Sequence, residues 1–250
     1  MVVRARKGIT MFFMFFLFAF GIFLELVFIL PAIRVLERFN GYKPSRMQNV
    51  HRFFFVIWLG LMRAARMLKG KPSKGKCFDG PCIIIANHPG LFDVLFLIRD
   101  IPKLTVLVKR SLAQWLPLGP IFKSSGYILS PGKRDSSPME SLLDAIEKLN
   151  LGYKFLLFPE GTRSPAGSLR KFRAGAFKIA QKQGVPIQPV IIRNTPPFLP
   201  KGEPWYFPAK ELSEIEIEFL DPIDIPGDKN VREVVKEVEN LYQSRLRKEN

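Results

Sequence analysis

The apolar pattern of the chain changes character along its length. After Arg4, Arg6 and Lys7, an uncharged apolar run extends from Ile9 to Leu24; Glu25 interrupts it, and Leu26 to Leu30 carry it on to Pro31. A charged start followed by an apolar run fits a signal peptide, but no small-residue cleavage site follows, so a retained anchor is predicted. As helix the uncharged run is about 24 Å long, short of a ~30 Å hydrocarbon core, and it becomes long enough only when counted through Glu25. A second, shorter apolar stretch runs from Phe53 to Met62. The two stretches predict a two-helix membrane anchor, either spanning or dipping as a hairpin into one leaflet. Arg63, Arg66, Lys69, Lys71, Lys74 and Lys76 follow with no acid among them. That run suits a basic collar against anionic headgroups, and it also fits an ordinary solvated charge run. Pro72 and Gly75 mark a linker, which divides the chain into an anchor with its collar, 1–70, and a globular domain, 71–250.

From Cys82 the pattern is that of alternating short strands and helices. Cys82–Ala86, Leu104–Val108, Tyr127–Leu129, Phe155–Phe158, Val190–Arg193 and Ile215–Phe219 read as strands. Leu91–Ile98, Pro138–Leu149, Ala174–Gln183 (stopped by Gly184) and Val231–Lys248 read as helices. Such alternation predicts an α/β domain with a mixed, largely parallel central sheet flanked by helices.

Charge narrows the partners. The 250 residues carry a formal net charge of +16, which calls for a negatively charged partner: nucleic acid, an anionic membrane surface or an acidic carrier protein. No RNA-binding signature, zinc finger or helix-turn-helix pattern supports nucleic acid. The two cysteines, Cys77 and Cys82, do not form a CxxC pair and no histidine cluster joins them, so neither a disulfide framework nor a metal site is expected. Cys82 opens an apolar run and reads as a small core residue.

The candidate chemistry begins at Asn87-His88-Pro89-Gly90-Leu91-Phe92-Asp93. His88 follows a strand, where α/β proteins place their functional groups. Pro89-Gly90 can fold the chain back, so that one ring nitrogen donates to Asp93 and the other accepts a proton from a substrate hydroxyl. By spacing alone, the pair also fits a structural histidine capped by a carboxylate. The second histidine, His51, lies at the edge of an apolar stretch, which leaves His88 without a competitor as base. Downstream, Phe158-Pro159-Glu160-Gly161-Thr162-Arg163-Ser164 ends a buried strand. Its glycine lets backbone amides approach a ligand, and Arg163 suits bidentate phosphate binding or a solvated turn. Glu160 suits a substrate hydroxyl or a grip on Arg163. Lys109, at another strand end, fits a phosphate contact as well as it fits a surface lysine.

These segments, with Val185-Pro186 and Pro189-Val190, resemble blocks one, three and four of the glycerolipid acyltransferases, in order, over roughly residues 75–220. The resemblance implies an acyl thioester and a lysophosphatidate as substrates, phosphatidate and a free thiol as products, and the 71–250 domain as the catalytic one. It implies His88 as general base, Asp93 as its orienter, Arg163 as the grip on the acceptor phosphate, and Gly161 and Thr162 as parts of the phosphate loop, whose amides would meet the oxyanion. Block two departs from the family pattern. Leu129 and Gly132 stand where phenylalanine and arginine are usual, and Lys133 and Arg134 are placed to substitute. The departure keeps glycerol-3-phosphate or another lysolipid open as acceptor. A non-catalytic protein that binds anionic lipid is the alternative of a different class. No cofactor is implied beyond the acyl donor, on acyl carrier protein or on CoA. The expected setting is a bacterial cytoplasmic (inner) membrane, with the domain on its cytoplasmic face.

Overall fold

The computed structural model describes residues 2–114, 118–130, 138–164, 168–199 and 211–247. The chain opens with α1 (Val2–Leu24), which runs through a π-helical turn (Glu25–Ile29) into α2 (Leu30–Asn40). Pro31 is the second residue of α2, directly after the π-helical turn, and the helix continues through it. A return helix, α3 (Pro44–Ala64), packs along α1. Then come β1 (Leu68–Gly70), β2 (Ile83–Ala86), α4 (Asp93–Asp100), β3 (Leu104–Val108), α5 (Arg110–Ala113), α6 (Leu118–Ser124), β4 (Ile128–Leu129), α7 (Pro138–Asn150), β5 (Lys154–Leu157), α8 (Gly175–Gln183), β6 (Ile187–Thr195), β7 (Ser213–Phe219) and α9 (Val231–Arg247).

The strands form one seven-stranded sheet in the order β1-β7-β6-β2-β5-β3-β4. Every neighbouring pair is parallel except β6–β7, which gives the mixed, largely parallel sheet the sequence predicts. Alternate residues of the central strands feed two cores. Ile84, Leu156, Val190 and Ile192 pack with α1, α3 and α4 on one face. Ile83, Ile85, Phe155 and Ile191 pack with α8 and α9 on the other. With both faces covered, central strands become continuous apolar runs, and Ile83-Ile84-Ile85 is one. Pro189 sits in central β6, where it has no N–H to give the ladder. The buried Tyr242 hydroxyl reaches from α9 to donate to Ile85 O at 2.8 Å, and it accepts from Val190 N–H at 3.0 Å. The hydroxyl thus bridges Val190 N–H and Ile85 O, linking β6 to β2 through a side chain.

The N-terminal region differs from its sequence reading in three ways. Only the first helix, Arg6–Asn40, is long and apolar enough to cross a membrane among the described residues. The second is part of the fold: Phe55, Trp58, Leu59 and Met62 of α3 are buried in the core, while Phe53, Val56, Ile57 and Leu61 are exposed. Second, β1 pairs with β7, so the sheet begins before residue 71. Third, the collar meets acids from far along the chain. Lys69 and Lys71 reach Glu214 at 3.5 and 3.1 Å, and Lys74 pairs with Glu216. Parallel pairing of β1 with β7 brings those carboxylates alongside, which no local reading of residues 63–76 can show.

The charge that interrupts the first apolar run also has a partner. Glu25 is buried, and His51 Nε2 lies 3.2 Å from its Oε2. His51 Nδ1 is 3.3 Å from both the Tyr127 hydroxyl and Ser125 Oγ. His51 is therefore a buried structural link between the π-helical turn, α3 and the approach to β4.

Candidate active site

The site lies at the carboxyl end of β2, where neighbouring strands leave to opposite sides, β5 one way and β6 the other. Crevices of α/β sheets form at such points. Asn87 fixes the strand end: its side chain donates to Ile192 O and accepts from Ile192 N–H, both at 2.8 Å. His88 follows and is held on every side but one. Its N–H donates to Glu160 Oε1 at 3.2 Å, and its carbonyl accepts from Ser164 N–H at 2.9 Å. Its ring stacks on Phe158 with centroids 4.1 Å apart. Its Nδ1 lies 2.9 Å from Asp93 Oδ2.

The carboxylate that meets Nδ1 is itself fixed. Asp93 opens α4 and is 1% exposed. Gly90 N–H donates to the same Oδ2 at 2.6 Å, and the Asn194 side chain supports its charged form. Asn194 Oδ1 in turn accepts from Phe198 N–H at 2.8 Å. This crowding explains Gly90: a Cβ there would stand 2.5 Å from Asn194 Nδ2 and 2.9 Å from Phe198 O. Burial raises the Asp93 pKa above the ordinary carboxylate value, while the His88, Gly90 and Asn194 hydrogen bonds pull the other way. An ionised carboxylate only accepts, so Nδ1 carries the proton and Nε2 presents a lone pair. The His88 side chain is 19% exposed, and Nε2 has no hydrogen-bond partner among the described residues.

The loop after β5 forms the second wall. Glu160 is buried and its carboxylate is fully occupied: besides His88 N–H it accepts from Ser164 Oγ at 2.7 Å and from Arg170 N–H at 2.8 Å. It makes no ion pair with Arg163 among the described residues, and it ties the loop to the His88 backbone. Glu160→Gln should therefore cost stability, by about 1–3 kcal/mol for a buried acceptor set left partly unmet; a urea unfolding midpoint unchanged from native would contradict that tie. Gly161 takes a positive φ of +71°, and a Cβ on it would stand 2.9 Å from the Arg173 guanidinium carbon. Its amide closes the turn on Phe158 O at 2.9 Å. With Ser164 N–H on His88 O, two of the loop amides expected to face an oxyanion are already engaged. Thr162 and Arg163 are half-buried beside them, and Arg163 Nη1 donates to Leu199 O at 3.3 Å. Lys109 is exposed at the end of β3, one strand beyond β5 and at the same sheet edge. Arg134 lies outside the described residues.

Sequence reasoning missed Phe158 as the plate under His88, Asn194 behind Asp93, and Arg170 and Arg173 on the loop. Phe158 sits inside the block already singled out, and Phe172-Arg173 stand close behind it, so both had a local signal. Asn194 had none. A cavity of about 280 Å³ opens behind the loop, lined by Leu107, Leu142, Leu157 and Ile179, with Gly161 and Arg173 at its rim. Burial pushes the Cys82 thiol up to about 12, which leaves it a core residue with no nucleophilic use.

The chain is similar in sequence and in fold to known proteins. The profile of the family described as Acyltransferase matches residues 62–193. A human 1-acyl-sn-glycerol-3-phosphate acyltransferase beta is 33% identical over 47% of this chain and 43% of its own. A 1-acyl-sn-glycerol-3-phosphate acyltransferase of Haemophilus influenzae is 26% identical over 88% of this chain and 89% of its own. The chain spans about half the length of several other curated relatives it matches. In fold it resembles the crystal structure of the 1-acyl-sn-glycerophosphate acyltransferase PlsC from Thermotoga maritima, with a TM-score of 0.71 over 98% of this chain and 97% of that one, at 23% identity.

Proposed function

Because the chain belongs to the acyltransferase family, we propose that it moves a fatty acyl group from a thioester to the sn-2 hydroxyl of 1-acyl-sn-glycerol 3-phosphate, giving phosphatidate. The observation that carries this is the His88 ring, pinned at Nδ1 by Asp93 and underneath by Phe158, with Nε2 turned outward. In the reaction Nε2 takes the proton of the acceptor hydroxyl as its oxygen attacks the thioester carbonyl. The tetrahedral intermediate then expels thiolate, which recovers the proton from His88. Asp93 holds the ring in the required tautomer and stabilises the imidazolium that forms. No acyl-enzyme is needed, since the sequence holds no serine or cysteine in a nucleophile-elbow pattern.

Arg163 supplies the acceptor phosphate contact, with Lys109 and the exposed Arg173 adding charge at the same edge. The intermediate's oxyanion is met by these cations rather than by the amides of Gly161 and Ser164. The apolar cavity behind Gly161 has the chemistry to take the apolar part of a substrate. The donor is an acyl carrier protein or CoA thioester; both are anionic, so a net charge of +16 serves either encounter. The apolar first helix points to membrane association, and we place the protein at a bacterial cytoplasmic membrane with the site facing the cytoplasm. The names of its relatives favour lysophosphatidate over glycerol-3-phosphate as acceptor.

Release of free thiol from both donors, measured with a panel of acceptors at low and high salt, tests the reading. Thiol release that depends on lysophosphatidate is expected, and equal rates without any acceptor would overturn it. Arg163→Ala should raise KM for lysophosphatidate about tenfold or more, the loss of one charge-assisted phosphate contact of 1.5–3 kcal/mol. An unchanged KM would remove Arg163 from the phosphate site.

A further inference from the structure

A second cavity, of about 420 Å³, lies at the other end of α4 from the catalytic pair. Asp93 begins this eight-residue helix and Asp100 ends it, so the two places are about 12 Å apart along the axis. They also lie at opposite edges of the sheet, because α4 carries the chain from the end of β2 to the start of β3. The cavity is bounded by Val56 and Gly60 of α3, by Arg63 one turn on, by Lys71 and Ser73 after β1, and by Arg99 and Asp100.

Its charges do not cancel. Arg99 binds Asp100 through Nε and Nη2 at 2.6 and 2.7 Å, and Ser73 Oγ donates to the same carboxylate at 2.9 Å. That pair is closed on itself. Lys71 shares Glu214 and Glu216. Arg63 is exposed and makes no ion pair among the described residues, so its guanidinium is open to a ligand. The flank of the cavity continues into an exposed apolar stripe: Phe53 is 69% exposed and Val56 53%, with Ile57 and Leu61 on the same helix. The neighbouring helix α1 carries exposed phenylalanines of its own, among them Phe12, Phe16 and Phe20. A cationic recess beside a broad apolar surface is the chemistry of a lipid whose tails lie along the surface and whose phosphate turns into the recess.

We propose that this cavity binds the phosphate headgroup of an anionic phospholipid, a site separate from the acceptor phosphate contact at Arg163, and that it seats the catalytic domain on anionic bilayers. The proposal rests on the reading that the exposed apolar face lies in a membrane. Two substitutions separate shape from charge. A Cβ on Gly60 would meet nothing within 4 Å, so Gly60→Phe can fill the recess while leaving every charge in place. Arg63→Gln removes the open charge and leaves the recess.

The full chain is floated with phosphatidylcholine vesicles, with and without added phosphatidylglycerol. Native protein should bind both and prefer the anionic ones. Each variant should keep its binding to phosphatidylcholine and lose about fivefold of the anionic preference, near the value of one basic contact at a membrane surface. Turnover on a short-chain, water-soluble acceptor in detergent should be unchanged in both. Gly60→Phe with full anionic preference would overturn the site, because diffuse charge attraction predicts that result. Native protein that ignores phosphatidylcholine would instead remove the membrane reading beneath it. Inorganic phosphate, titrated against the vesicles at matched ionic strength, should compete no better than chloride; selective displacement would reassign the recess to free phosphate.

Discussion

Replacing His88 with alanine or glutamine should lower kcat by about a thousandfold, in the middle of the range for loss of a positioned general base, with KM for lysophosphatidate nearly unchanged. The reason is geometric. Nε2 is the free position of a ring whose other contacts are all to protein: Phe158 stacked at 4.1 Å, Asp93 at 2.9 Å, and the backbone held by Glu160 and Ser164. The substitution removes the proton acceptor and leaves those backbone bonds. The circular dichroism and unfolding midpoint of the glutamine variant should therefore stay near native, which separates lost chemistry from lost fold. Single-turnover thiol release within a few-fold of native would show that another group removes the proton.

Asp93→Asn should have the second-largest effect, a loss of about a hundredfold or more in kcat, joined to a gain in stability. An asparagine oxygen can still accept from Gly90 N–H, but it no longer selects the His88 tautomer or stabilises the imidazolium. The stability change follows from the raised pKa of the buried Asp93 carboxyl. A carboxyl whose folded pKa lies above its unfolded value is protonated more readily in the folded state. Stability is then lost as pH rises from the unfolded pKa through the folded one, and the full cost is present above it. Asparagine carries no such cost. At neutral pH the variant should melt at or above the native temperature, and the gap should close as pH falls into the acid range. A variant less stable than native at every pH would show that the charge of Asp93 supports the fold, and its lost activity would then say little about the tautomer.

These two results together would describe a site built against stability: a buried carboxylate kept beside a histidine because the chemistry uses it. Its neighbours soften the cost. The Gly90 amide and the Asn194 side chain favour the charge, and the glycine is required because a Cβ would strike Asn194 and Phe198. Glu160 is the contrasting carboxylate. It is as buried as Asp93, yet its partners are loop amides and a serine hydroxyl, so its work is to hold two loops in register rather than to meet a substrate.

Sequence alone determined the parts of this protein that depend on neighbours within a few residues. Strand and helix alternation from Ile83 onward is a local periodicity, and it survives in the sheet as read. His88 and Asp93 are joined by a turn of four residues, and Phe158 to Arg163 by one loop, so their proximity is short-range geometry. The long apolar run from Ile9 was legible for the same reason. Tertiary structure decided whatever depends on pairing between distant segments. β1 and the collar lysines join the sheet only because β7 comes alongside with Glu214 and Glu216. Half of α3 is core because the sheet lies under it, and Glu25 is tolerated in an apolar helix because His51 is buried opposite. Asn194 reaches Asp93, and Tyr242 bridges Val190 N–H and Ile85 O, across separations at which the sequence carries no periodic signal. The physical divide is range: backbone propensity and turn geometry act over one element, whereas desolvated charges and buried polar groups are satisfied by whichever segment the fold brings near.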